Sequence, residues 1–273
     1  MFSTDQLHDK TVLVTGASSG IGAATAVLFA KAGANVVVAA RRAEKLAEVC
    51  KACEEANRAG QTGKGGRYAA ISLDMRNLEQ LERVVSLLPE WSKDVDVLGT
   101  SRAHTVNNAG LAIGTDKVSE LDNDEIDRVL ETNVLGLIHI TQQFVREFKR
   151  RQAGHIINLG SIAGVYPYPG GSVYCASKAA VHAFTTSLTM ELVDTPIRVS
   201  NIKPGLVETE FSVVRFRGDQ SAADKVYQGI EPLTPEDIAE EIVWTASRKP
   251  HVNVAEVLIV PTNQASSYHI ARK

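Results

Sequence analysis

Cysteine is scarce in this chain. Three residues in 273 do not make a disulfide framework. Charge of one sign is scarce too: 29 basic residues stand against 32 acidic ones, a net charge of −3, and give no electrostatic case for nucleic acid or an anionic membrane. No apolar run approaches the ~18–20 residues that span a bilayer. The polar stretch Met1 to Lys10 lacks the apolar core of a signal peptide. No 20–50-residue repeat and no linker divides the chain. A soluble, cytoplasmic or also nuclear protein is expected, with one domain over residues 1–273. Cys50-Lys51-Ala52-Cys53 is formally C-x-x-C, but a second cysteine pair and a nearby histidine are both missing, so no zinc site is expected. The structural reading is preferred. Cys175 carries no mark of a nucleophile.

What the chain does have is 44% hydrophobic residues in a strand–helix alternation. Expected strands are Thr11–Thr15, Asn35–Ala40, Tyr68–Asp74, one ending at Asn107, His155–Leu159, Ile197–Ile202 and Glu256–Val260. Helices are expected over Ala23–Ala32, Ala43–Ala56, Asn77–Leu88, Asp122–Arg151, Tyr174–Val193, Ala222–Tyr227 and Pro235–Ser247. The alternation predicts an α/β, Rossmann-type, doubly wound parallel sheet. A nucleotide half is expected over about 10–160 and a catalytic half over 161–273. Gly63 to Gly66 is not a P-loop, because neither strand nor helix frames it. One place is ambiguous: either Val95–Leu98 forms the fourth strand and Gly99–Thr105 loops out, or the strand is rebuilt from Ala103 to Asn107.

Gly16, Gly20 and Gly22 follow the first strand and open a helix. Backbone must approach a pyrophosphate there, and the helix N-terminus offers N–H groups to the anion; Ser18 and Ser19 add hydroxyls. NAD-binding folds commonly carry an acid at the end of strand two. Here that place reads Ala39-Ala40-Arg41-Arg42. Two guanidiniums suit a 2′-phosphate, at about 1.5–3 kcal/mol per charge-assisted bond, so NADP(H) is the expected cofactor. Asp74 suits either an adenine amino group or a cap for the helix from Asn77.

Tyr174 and Lys178, four apart on a predicted helix, stack on one face. A phenol titrates near 10; lowering it by about 2–3 units takes roughly 3–4 kcal/mol, which a neighbouring ammonium supplies. Ser161 lies upstream. Together with Asn107-Asn108-Ala109-Gly110, Asn133 and Pro204-Gly205, these motifs resemble the short-chain dehydrogenase/reductase family over essentially the whole chain. Pro204–Phe211, Val214–Asp219 and Pro261–Gln264 resemble its NADP-dependent 3-hydroxy acid dehydrogenases, which act on serine and L-allo-threonine.

The resemblance implies Tyr174 as acid–base, Ser161 on the substrate oxygen, Lys178 on the nicotinamide ribose and Asn133 holding a proton-relay water. Ile21, Arg41, Arg42, Asp74, Met75, Asn108, Ala109, Pro204, Gly205, Val207 and Thr209 would contact the cofactor. For the substrate carboxylate Arg215 is preferred over Arg217, and Tyr166 or Tyr168 either walls the pocket or packs in the core. The partners implied are a small-molecule substrate and further copies in a homotetramer. Alternatives are a broad carbonyl reductase for neutral ketones and a catalytically silent NADP(H) sensor.

Overall fold

Residues 4–60, 66–93 and 104–273 of the computed structural model are described below. Strand β1 (Thr11–Thr15) is buried along its whole length. Its residues alternate between two cores: Val12 and Val14 enter one, Leu13 the other. β2 (Asn35–Ala40) repeats this with Val36 and Val38 against Val37 and Ala39. Parallel strands covered on both faces therefore read as unbroken apolar runs. Helix α1 (Gly20–Lys31) follows β1, and α2 (Ala43–Ala59) follows β2.

The chain continues through β3 (Tyr68–Ser72), α3 (Leu78–Glu82), α4 (Val84–Leu87), α5 (Glu90–Lys93), β4 (His104–Asn107) and α6 (Asn123–Leu130). A π turn (Glu131–Leu135) leads into α7 (Gly136–Arg151), then β5 (Gly154–Leu159), α8 (Ser172–Glu191) and β6 (Ile197–Pro204). Short helices α9 (Glu210–Arg215) and α10 (Gln220–Tyr227) precede α11 (Pro235–Ala246) and β7 (Glu256–Ile259). All six strand pairings are parallel, in the order β3-β2-β1-β4-β5-β6-β7. Phe29, Leu46 and Ile242 pack α1, α2 and α11 on one face. Leu81, Val84, Phe144 and Leu188 pack α3, α4, α7 and α8 on the other. Strand order reverses between β1 and β4, and ligands of open α/β sheets bind at the C-terminal ends of such strands.

Several boundaries differ from expectation. β3 pairs only to Ser72 and turns away before Asp74. The helix expected from Asn77 breaks at Arg83 and stops ahead of Pro89. Asn77 caps α3 itself by accepting from Gln80 N at 3.0 Å, whereas Asp74 accepts from Arg76 N within its own turn. β4 occupies the later of the two candidate positions, with His104 and Thr105 buried in it. The His104 ring meets the His155 ring of β5 edge-on at 5.5 Å, which is how this polar residue fits the sheet. Val95–Leu98, Ala103 and Gly63–Gly65 lie outside the described residues. Cys50 and Cys53 sit within α2 as free thiols; burial pushes Cys53 up to about 12. No helix of the described residues is long and apolar enough to cross a membrane.

Candidate active site

A cleft of about 660 Å³ opens at the reversal point. Its floor is the turn between β1 and α1. Gly16 is left-handed (φ 62°), and a Cβ there would lie 2.8 Å from the Ala109 Cα. A Cβ on Gly22 would lie 2.4 Å from Asn108 Nδ2 and 2.5 Å from the Gly16 carbonyl oxygen. Glycine keeps the turn low, so a ligand can reach backbone. Asn108 staples this turn to the end of β4: its Nδ2 donates to the Thr15 and Gly16 carbonyls at 3.0 and 3.1 Å. No side chain caps α1, and its first N–H groups therefore remain available to an anion.

Arg41 and Arg42 stand on the rim. Arg42 donates to the Ser18 and Ser19 hydroxyls at 3.0 and 2.7 Å and to Glu210 at 3.0 Å. Every cofactor residue expected from the sequence lines the cleft except Gly22, which acts behind it by letting α1 approach the turn. A cradle that Cβ atoms would fill, an uncapped helix N-terminus and paired guanidiniums fit a dinucleotide with an extra phosphate.

At the other end, Ser161, Tyr174 and Lys178 converge. Ser161 lies two residues past β5 and caps the short turn Ile162–Gly164, its Oγ accepting from Ala163 N at 3.1 Å. The Ser161 hydroxyl also meets the Tyr174 hydroxyl. Lys178 Nζ lies 5.9 Å from the Tyr174 ring centroid and donates to the Leu159 carbonyl at 2.7 Å. The expected depression of the tyrosine by the lysine is not what this structure shows. Burial pushes the Tyr174 phenol above its ordinary value, while the Ser161 hydroxyl and the Arg215 cation pull it down. Burial also lowers Lys178 to about 8, so it still carries its charge near neutrality and loses it only above that pH.

Asn133 lies in the π turn, behind the cleft rather than on its wall. Its Oδ1 accepts from Leu111 N, and its Nδ2 donates to the Leu111 carbonyl, both at 2.8 Å. A third bond runs from Nδ2 to Ser177 Oγ at 3.0 Å. The amide is thus engaged by protein groups at both its oxygen and its nitrogen.

The two loop arginines separate. Arg215 Nη1 donates to the Tyr168 hydroxyl at 2.6 Å, with its guanidinium carbon 5.2 Å from that ring's centroid, and both residues line the cleft. Arg217 does not line it. Its guanidinium is held by Asp116 and Glu125 at 2.7 Å each. This corrects Arg217 as a carboxylate ligand: two carboxylates already satisfy it. Tyr166 does not line the cleft either.

Sequence reasoning missed α9 and what it carries. Phe211 tilts against Tyr174 with ring centroids 5.5 Å apart, and Glu210 reaches Arg42. It also missed the C-terminal wall. Gln264 Oε1 accepts from Leu206 N at 2.9 Å, and Arg272 donates to the Val226 and Gln228 carbonyls; both Gln264 and Arg272 line the cleft. The available signal was Thr209 as an N-cap, which accepts from Phe211 N at 3.2 Å. Among the described residues, no group of three or more His, Cys, Asp or Glu side chains is placed to hold a metal ion.

A Rossmann sheet with a glycine turn at its reversal point and a Ser–Tyr–Lys group beside it defines a dinucleotide-dependent dehydrogenase. The family model described as short chain dehydrogenase matches residues 10–219, and the chain belongs to that family. An NADP-dependent 3-hydroxy acid dehydrogenase of Schizosaccharomyces pombe is 44% identical over 269 residues, which is 98% of each chain. A serine 3-dehydrogenase of Agrobacterium fabrum is 38% identical over 255 residues, 93% of this chain and 95% of the other. The solved closed form of serine dehydrogenase complexed with NADP+ superimposes with a TM-score of 0.85 at 36% identity, covering 96% and 99% of the two chains.

Proposed function

We propose that this oxidoreductase interconverts small 3-hydroxy acids and their carbonyl forms with NADP(H), using Tyr174 as acid–base. The observation that carries the substrate class is Arg215. It is a half-buried cation in the same cleft as Ser161 and Tyr174, and a guanidinium there supports pairing with a carboxylate while the hydroxyl meets the tyrosine. When bound, the cofactor accepts or returns the hydride. Tyr174 takes the hydroxyl proton in oxidation and gives it back in reduction. Ser161 donates to the substrate oxygen, and Lys178 keeps a cation beside the tyrosine. Arg41 and Arg42 hold the 2′-phosphate, against the glycine turn that receives the pyrophosphate.

Residues of about 10–160 form the dinucleotide-binding half and those of 161–273 the catalytic and substrate half. Exposed Leu135, Met190 and Val193 supply apolar surface for assembly into a homotetramer, which light scattering reads directly. A cytoplasmic location belongs to the proposal and is read by imaging a tagged chain. The activity is tested by following NADP+ reduction at 340 nm with L-serine, L-allo-threonine and 3-hydroxyisobutyrate, beside NAD+ and neutral secondary alcohols. Turnover of the acids with NADP+ supports the proposal. Activity confined to neutral compounds replaces it with a general carbonyl reductase.

A further inference from the structure

Glu210, the first residue of α9, brings a carboxylate to the corner assigned above to the 2′-phosphate. Its Oε2 accepts from Arg42 Nη2 at 3.0 Å, and the Ser19 hydroxyl bonds the same side chain. Arg42 and Ser19 are themselves joined at 2.7 Å. An anion from the catalytic half thus already engages donors from both the glycine turn and the end of β2. Its position is set by backbone: Thr209 caps α9, and its Cγ2 would lie 3.3 Å from a Cβ on Gly20. The bridge is also half exposed, at 47% for Arg42 and 57% for Glu210. Such pairs contribute little to stability and exchange partners readily.

We propose that Glu210 is a coenzyme-specificity residue: from the opposite wall of the cleft, its carboxylate competes with the 2′-phosphate of NADP(H) for Arg42. This rests on Arg42 as a phosphate partner. A phosphomonoester carries close to two negative charges at neutral pH, so on reaching Arg42 it must displace Glu210 from the guanidinium. NAD(H), with a neutral 2′-hydroxyl, meets no such opposition. The carboxylate therefore narrows the preference for NADP(H) and eases its release.

The test is fluorescence titration of NADPH and NADH against the full-length wild type, Glu210→Gln, Arg42→Ala and the double variant, at low and high salt. Glu210→Gln should tighten NADPH by up to about fivefold and leave NADH unchanged. The gain should vanish in the Arg42→Ala background and shrink as salt screens the charges. Weaker NADPH binding, equal shifts for both coenzymes, or a gain that survives Arg42→Ala would overturn the proposal. If Arg42→Ala leaves NADPH binding untouched, the phosphate role of Arg42 falls and the competition with it. If Arg42→Ala weakens binding while Glu210→Gln changes nothing, only the competition falls.

Discussion

Replacing Arg215 by methionine removes the cation from the cleft while keeping an unbranched apolar stem over Tyr168. Two effects follow. A substrate carboxylate loses its charge-assisted bonds, at about 1.5–3 kcal/mol, which is about 10- to 150-fold in kcat/KM for hydroxy acids. Tyr174 also loses a cation that lowers its pKa, so the tyrosine-controlled limb of the pH–rate profile should move to higher pH for every substrate. Neutral alcohols share only the second effect and should lose about threefold or less near the pH optimum. Arg217→Ala gives the contrast, because its partners Asp116 and Glu125 lie outside the cleft; acids and neutral alcohols should lose equally and little. Initial rates with one acid and one neutral alcohol across pH 6–10 decide the matter. Equal losses for the two substrate classes in the Arg215 variant would refute the carboxylate role.

Lys178→Met and Gly22→Ala probe the two ends of the cleft through stability. Lys178 is held by burial at about 8 against its usual 10.5; between those values the unfolded chain binds a proton that the folded chain does not. Wild-type stability therefore rises with pH through that window, and the full cost of about 3 kcal/mol applies below about pH 8. Methionine removes that cost but leaves the Leu159 carbonyl without its donor, so denaturant titration should show a net gain of about 2 kcal/mol at pH 7 that fades toward pH 10.5. A difference independent of pH would contradict the depressed lysine. Gly22→Ala forces a methyl against Asn108 and the Gly16 carbonyl; it should cost about 1–3 kcal/mol and weaken NADPH binding although Gly22 is not on the cleft wall. Unchanged stability in that variant would contradict the close approach of α1 to the turn.

Where local chemistry dictates structure, the sequence was readable. β1 and β2 end where the apolar runs end, and glycines 16, 20 and 22 mark the turn, because strain and steric exclusion are written residue by residue. The nearness of Ser161 to Tyr174 was legible through the motif set. What escaped depends on tertiary contacts. α9 has six residues, too few to signal a helix by periodicity, and it is fastened instead by Arg42 at one end and by the Arg217 bridges just beyond the other. Arg215 and Arg217 look alike in sequence, and only Tyr168 on one side and Asp116 and Glu125 on the other separate them. The tyrosine's direction of shift was misjudged because spacing reports the nearby lysine but not the burial of both groups.

The central claim is that Tyr174 moves the proton in an NADP-dependent oxidation of a hydroxyl. Tyr174→Phe keeps the ring against Phe211 and removes only the hydroxyl. NADPH binding by fluorescence titration should stay within about twofold of wild type, while NADP+ reduction with a 3-hydroxy acid falls by about two orders of magnitude or more. A variant that binds NADPH normally and still turns over at a rate close to wild type would contradict the account.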